Sequence, residues 1–258
     1  KVIAVIAGGT SGNSRAAAPK AQVSKIPLIS PSATDPAVTQ IGDFVFRACF
    51  IDLFQGEVMA RFSVNTLKAR KAAILFDFNS GYSRGLTDFF ELSFTRLGGQ
   101  VVTKQLYTQG DRDYRGQLNT IRLAAPDVIY IPGYYGDIAV IAKQARQLGI
   151  TQPLLGGDGW DAPELWELGG DALNGSYISN HYSIEDPSAA IQKFVKDYKA
   201  LYGNLPPDAH AALGYDAMRV LADAIQRAGA TDGSIVRSGD AGLIDAIRKV
   251  SPKMFGDY

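Results

Sequence analysis

Eight short apolar runs recur along the chain with amphipathic stretches between them, and this alternation is the strongest constraint on its fold. The runs are KVIAVIA, IPLIS, FVFRACFI, KAAILFDF, QVVTKQLY, DVIYIPG, PLLGGDG and GSYISNHY. Several of the intervening segments carry helical periodicity, notably residues 55–67, 83–97, 114–125 and 138–148. Continuous Val/Ile/Leu runs alternating with helices predict α/β architecture, with parallel sheets covered by helices on their faces. After Tyr182 the rhythm changes to two long helical segments, residues 187–202 and 208–228, the second opening on Asp208 as a candidate cap.

In open parallel sheets, function collects at the carboxyl ends of the strands. Here IPLIS runs into PSAT (31–34), ILFDF into NSGYSRG (79–85), VIYIP into GYYGD (133–137) and PLL into GGDGWD (156–161). Hydroxyls, tyrosines, one tryptophan and a few carboxylates recur at these ends, without histidine, cysteine or lysine. That set suits recognition better than catalysis. Each element also has a structural reading: Ser-Pro-Ser and Gly-Asp-Gly form turns, tyrosines fill interfaces, and Asp158 would cap a helix beginning near Pro163.

The first run leads into AGGTSGNSRAAAP (7–19), a glycine-rich turn before a helix expected to start near Ser14. Helix N-termini attract anions. The glycines at 8, 9 and 12 do not match a dinucleotide fingerprint, and no Gly-Lys-Ser/Thr follows as in a P-loop. Thr10 and Ser11 at the tip suit a small carboxylate as well as a phosphate, and the stretch also reads as an ordinary Ser/Asn cap on a βα turn.

Charge narrows the partners. The chain has 26 Lys plus Arg and 26 Asp plus Glu, so no net field draws it to nucleic acid or to an anionic membrane. No apolar run approaches the roughly 20 residues of a membrane span, and no signal peptide opens the chain, so the expectation is a soluble protein, mature or trimmed. The single cysteine, Cys49, excludes a disulfide framework and reads as a small buried apolar residue; His181 and His210 stand outside any metal-ligand spacing.

Taken together in one register, GGTSGNSRAAAP, IPLISPSAT, the Gly-Tyr of NSGYSRG, PDVIYIPGYYGD, PLLGGDGWD and the run FVKDYKALYG…AALGYDAMRVLADAI resemble the Leu/Ile/Val-type, branched-chain amino-acid binding proteins of ABC importers, within the type I periplasmic binding proteins. The resemblance runs from residue 2 to about residue 248. It implies two Rossmann-like α/β domains with a ligand clamped between them: residues 1–51 plus 182–258 as a first, discontinuous domain and residues 52–181 as the second. It implies that Ser11 and Thr34, with backbone N–H groups of residues 10–13, hold the α-carboxylate of an amino acid. Asp158, helped by Ser32 and Thr34, would receive the α-ammonium, Tyr82 and Tyr134 would close over the ligand, and Trp160 would wall the side-chain pocket. A zwitterion needs donors at one end, an acceptor carboxylate at the other and dry aromatic walls between them.

The resemblance further implies a non-catalytic solute-binding protein without cofactor or metal, delivering its ligand to the membrane permease of an ABC importer. Its place would be periplasmic or extracellular, with lipid anchoring of the full-length precursor as one form. Three departures stand out. The first domain lacks the family's opening strand, helix, strand and helix and the closing strands of the third crossing, so it is expected to be incomplete, and a partner chain or swapped copy would cover its open edges. Asp158 stands where branched-chain binders commonly carry Glu, and Ser83 where they carry Gly, which would leave extra room and an added donor near the ligand. The same fold also serves as the sensing domain of receptors or regulators. An enzyme using a nucleotide is disfavoured by the glycine spacing and the lack of a base and nucleophile pair.

Overall fold

The computed structural model describes residues 2–228 and 246–247. The chain forms two compact units, residues 1–51 with 182–258 and residues 52–181. Much of the tail expected to complete the first domain, residues 229–245 and 248–258, lies outside the described residues.

The first unit holds a parallel three-stranded sheet of β1 (Val5–Ile6), β2 (Leu28–Ser30) and β3 (Val45–Arg47), in that spatial order. Helix α1 (Ser11–Ser24) connects the first two strands. It starts three residues earlier than expected, because Thr10 adopts an extended backbone and its Oγ1 accepts the Asn13 N–H at 3.3 Å as an N-cap. Gly8, which makes the turn into this helix, has φ +80°, and a Cβ there would lie 2.1 Å from Ser14 Oγ. Only glycine fits that turn.

Two helices follow in this unit, α7 (Ala189–Leu201) and α8 (Ala209–Arg227), once the chain has passed through the second unit. Asp208 caps α8 as expected, accepting the Ala211 N–H at 2.7 Å. Buried Ala217, Val220, Leu221 and Ala224 of α8 pack with Ile29 of β2 and Phe46 of β3. Cys49, the one cysteine of the chain, is buried.

The second unit holds a five-stranded parallel sheet, ordered β5-β4-β6-β7-β8. Its strands are β4 (Lys71–Asp77), β5 (Gln100–Tyr107), β6 (Val128–Tyr130), β7 (Leu154–Gly156) and β8 (Tyr177–Ile178). The helices are α2 (Asp52–Asn65), α3 (Gly81–Arg96), α4 (Arg115–Ala124), α5 (Tyr135–Gln147) and α6 (Pro163–Gly169). The central strands β4, β6 and β7 are buried on both faces. One layer packs Leu86, Phe90 and Phe94 of α3 and Met59, Ala60 and Val64 of α2 against Ile74 and Tyr130; the other packs α4 and α5 against Ala73, Leu75, Ile129 and Ile131. Two-sided burial is why these strands read as unbroken apolar runs instead of alternating ones.

The strand order brings the carboxyl ends of β4, β6, β7 and β8 side by side. Those ends lead to Tyr82, Tyr134, Asp158 and Ser179.

Helix α2 lies against α3 through Gly56, where a Cβ would meet the Phe90 backbone nitrogen at 2.8 Å and the Phe89 carbonyl carbon at 2.9 Å. An alanine in a helix interior normally stabilises by about 1 kcal/mol over glycine. Here the clash is with backbone, so Gly56→Ala is expected to destabilise the second unit by roughly 1–3 kcal/mol. Urea unfolding followed by circular dichroism checks this, and a stabilised variant contradicts the packing.

Candidate functional site

The second unit carries a polar cluster centred on Asp158, which opens a 3-10 turn (Asp158–Trp160) straight after β7. Asp158 Oδ1 accepts from Tyr82 OH at 2.8 Å and from Gln55 Nε2 at 2.9 Å, while Oδ2 lies 3.0 Å from His181 Nε2. Gln55, in the first turn of α2, uses both ends of its amide. Its Oε1 accepts from Asp158 N at 3.0 Å and from Ser179 Oγ at 2.7 Å. Tyr82 OH in turn accepts the Gly159 N–H at 3.0 Å. Asp158, Tyr82, Gln55 and Ser179 are all buried.

Burial drives the Asp158 carboxyl up, but the hydrogen bond and charge of His181 and the Tyr82 and Gln55 donors outweigh it, and the net direction is below the ordinary carboxylate range. The Tyr82 phenol moves the other way, well above its usual value, through burial first and then the nearby Asp158 and Asp52 charges. It therefore stays a donor. Tyr134, at the N-cap position of α5, stacks on Tyr82 with ring centroids 5.1 Å apart and planes 22° from parallel.

Asp158 caps no helix: the N-cap of α6 is Ala162, with no side-chain bond. Trp160, expected as a pocket wall, is fully buried among core residues of its unit, and its Nε1 donates to Ile131 O at 2.9 Å. The ring covers Gly156, where a Cβ would lie 2.2 Å from it, so Trp160 props the turn that carries Asp158. Ser83 is no ligand donor either. It sits in the first turn of α3, accepts from Asp77 N at 3.0 Å and donates to Pro132 O, which ties the ends of β4 and β6 together.

In the first unit, Ser11, Ser32 and Thr34 are buried around the turn after β1 and the turn after β2. Ser11 Oγ accepts the Asp35 N–H at 3.2 Å, and its own proton has no acceptor among the described residues. Thr34 Oγ1 is buried with no partner among the described residues. A buried hydroxyl left unmatched is costly in a folded protein, and a ligand is one way to match it. Ser32 Oγ donates to Gly9 O at 2.8 Å, so toward any further group it can only accept. The loop bearing Thr34 is clamped by buried Arg47 of β3, whose guanidinium donates to the carbonyls of Ala33, Asp35 and Pro36 and to Thr39 Oγ1.

Gln55, His181, Ser179 and Arg47 were not on the expected list of site residues. Gln55 is one polar residue at the start of an amphipathic helix, and His181 lies just past β8; nothing in local spacing ties either to residue 158. Among the described residues there is no group of three His, Cys, Asp or Glu able to hold a metal, and no helix long and apolar enough to cross a membrane.

The profile of the family described as "Periplasmic binding protein" matches residues 1–251. The chain is 31% identical over 208 residues to the "Leu/Ile/Val-binding protein homolog 3" of Brucella melitensis, covering 80% of this chain and 55% of that protein. It thus spans little more than half of that relative's length. Among solved structures, the leucine-binding protein LivK of Thermotoga maritima superposes with a TM-score of 0.89 at 45% identity, over 96% of this chain and 68% of the other. LivJ of Streptococcus pneumoniae, solved in complex with isoleucine, gives 0.86 at 32% identity, over 95% and 68%.

Two substitutions test the wiring. Gln55→Leu keeps the size but leaves Asp158 N–H, Ser179 Oγ and one acceptor direction of Asp158 unmatched, at roughly 1–3 kcal/mol for each buried group. Arg47→Leu unties the carbonyls of the 33–36 loop in the same way. Both are expected to lower the denaturation midpoint, and an unchanged midpoint for Gln55→Leu contradicts its place at the centre of the cluster.

Proposed function

Because the chain belongs to the periplasmic binding protein family, we propose that it is the ligand-capturing part of an extracytoplasmic solute-binding protein that captures an amino acid, branched-chain or related, and delivers it to the permease of an ABC importer. The observation that carries the reading is the pairing of unlike ends. One unit offers buried hydroxyl protons at Ser11 and Thr34 that are unmatched among the described residues, and the other offers a buried carboxylate held below its ordinary range at Asp158.

In this reading the α-carboxylate lies on Ser11 and Thr34, with the Ser11 and Gly12 N–H groups of the first turn of α1 adding the positive end of the helix. The α-ammonium lies on Asp158, with Ser32 as a further acceptor. Tyr134, stacked on Tyr82, supplies an aromatic wall. Trp160 acts from beneath as a support. The names of the relatives, Leu/Ile/Val-binding and leucine-binding, support a branched-chain side chain. Nothing in this arrangement supplies a nucleophile with a base, so the chemistry is capture and release. The protein works outside the cytoplasm, in the periplasm or at the cell surface.

Calorimetric titration with leucine, isoleucine, valine, ATP and NAD tests the class. Amino-acid binding without turnover is expected, and binding of ATP or NAD with no amino-acid response overturns the reading. Asp158→Asn should cost roughly 2–5 kcal/mol of affinity, as when one member of a buried charged pair is removed. Near-normal affinity in that variant takes Asp158 out of the site.

A further inference from the structure

Asparagine is followed by glycine once in the sequence, at Asn174–Gly175; the other six asparagines precede Ser, Thr, His or Leu. The pair lies between the 3-10 turn Gly170–Leu173 and β8. Asn174 has φ −57° and ψ 132°, Gly175 has φ +75°, and the Ser176 N–H donates to Leu173 O at 3.0 Å. Residues 173–176 therefore form a type II turn, whose third position takes the positive φ that glycine supplies.

The turn leaves its two central residues open. Both are exposed, and apart from the chain neighbours no described atom lies within 4 Å of where a Cβ on Gly175 would stand. The Gly175 N–H has no acceptor among the described residues. The Asn174 side chain has one hydrogen bond, from Nδ2 to Asp171 Oδ1 at 3.5 Å, the outer limit for such a bond. Asp158–Gly159, a pair open in principle to the same chemistry, is the contrast. Its carboxylate is buried and held by three side chains, and the Gly159 N–H is committed to Tyr82 OH at 3.0 Å.

We infer that Asn174 is a site of spontaneous covalent modification, at which the side-chain amide is exchanged for a carboxylate through attack by the Gly175 nitrogen. That nitrogen gives its proton to hydroxide or a buffer base and bonds to Asn174 Cγ, closing a succinimide ring. The Cγ–Nδ2 bond breaks and Nδ2 leaves as ammonia. One water then opens the ring, at Cγ to give aspartate or at the main-chain carbonyl to give isoaspartate. At ψ 132° the Gly175 nitrogen is turned away from Cγ, so the turn must open first, and one backbone hydrogen bond closes it. With no side chain on Gly175, little hinders that swing.

The change reaches beyond the turn. A carboxylate at 174 stands beside that of Asp171, and the isoaspartyl form lengthens the main chain by one carbon just before β8. There Tyr177 and Ile178 pair with Leu155 and Gly156, the Ser179 N–H donates to Gly156 O at 3.1 Å, and Ser179 Oγ donates to Gln55. The altered turn thus feeds into the edge strand that carries part of the Asp158 network.

The test is incubation of the intact protein at pH 7.0 and 9.0, with and without denaturing urea, followed by digestion and fragment mass analysis. The expected result is an exchange of ammonia for water at Asn174 in the native protein, ahead of every other asparagine and faster at pH 9.0. A share of the product should accept a methyl group from an isoaspartyl methyltransferase, and Asn174→Gln should abolish that signal. Asn174 intact in the native protein while it converts in urea, or intact in both, overturns the inference, and so does earlier conversion at another asparagine. The isoaspartyl form, separated by ion exchange, is expected to have a lower denaturation midpoint than Asn174→Asp, which carries the charge without the extra carbon. Equal midpoints overturn the coupling to β8.

Discussion

A carboxylate can leave water only if something inside the protein replaces the water, and the second unit is arranged around meeting that condition at Asp158. Three side chains from separate parts of the chain converge on two oxygens: Gln55 from the start of α2, Tyr82 from the first turn of α3 and His181 from the end of the unit. Each donor is itself fixed. Gln55 is held by Ser179 and the Asp158 backbone, and Tyr82 by the Gly159 N–H and the face of Tyr134. Gly157 makes the approach possible, since a Cβ there would lie 2.7 Å from Tyr82 OH. The network costs chain entropy to assemble, and it holds a buried negative charge in one fixed geometry.

The sheet explains why such distant residues meet. Parallel strands all end on the same side, so loops after neighbouring strands share one edge, and the order β4-β6-β7-β8 sets four of them in a row. Trp160 under the β7 turn and Ser83 between the ends of β4 and β6 stiffen that edge from within. The first unit reaches a comparable rigidity by another route. Its sheet is short, and a single buried guanidinium, that of Arg47, gathers the carbonyls of the loop that presents Thr34. In both units the polar candidates stand just past strand ends or in the first turn of a helix, and Gln55 and Arg47, which tie them, stand on a helix and on a strand.

The central strands were legible because burial on two faces writes unbroken apolar runs, and all eight runs contain a strand. Helix positions were legible to within a few residues, with α1 displaced because either Thr10 or a later residue reads as a cap and only geometry chooses between them. The strand-end chemistry was legible as a set of residue types. Individual roles were less so. Trp160 and Ser83 have the composition of ligand contacts but are buried within their own unit, and residue type alone does not say which way a side chain past a strand end faces. His181 and Gln55 were missed for a different reason: their partner lies 23 and 103 residues away along the chain, and no periodicity encodes that meeting.

The central claim is that Asp158, already wired to its neighbours, is the acceptor of a ligand cation. A crystal structure of the protein grown with leucine at neutral pH tests it most directly. The account predicts the leucine nitrogen within hydrogen-bond distance of Asp158 Oδ2, with the Tyr82 and Gln55 bonds to Oδ1 retained. A bound leucine whose nitrogen lies away from Asp158, with the carboxylate still engaged only by its own side-chain partners, would contradict it.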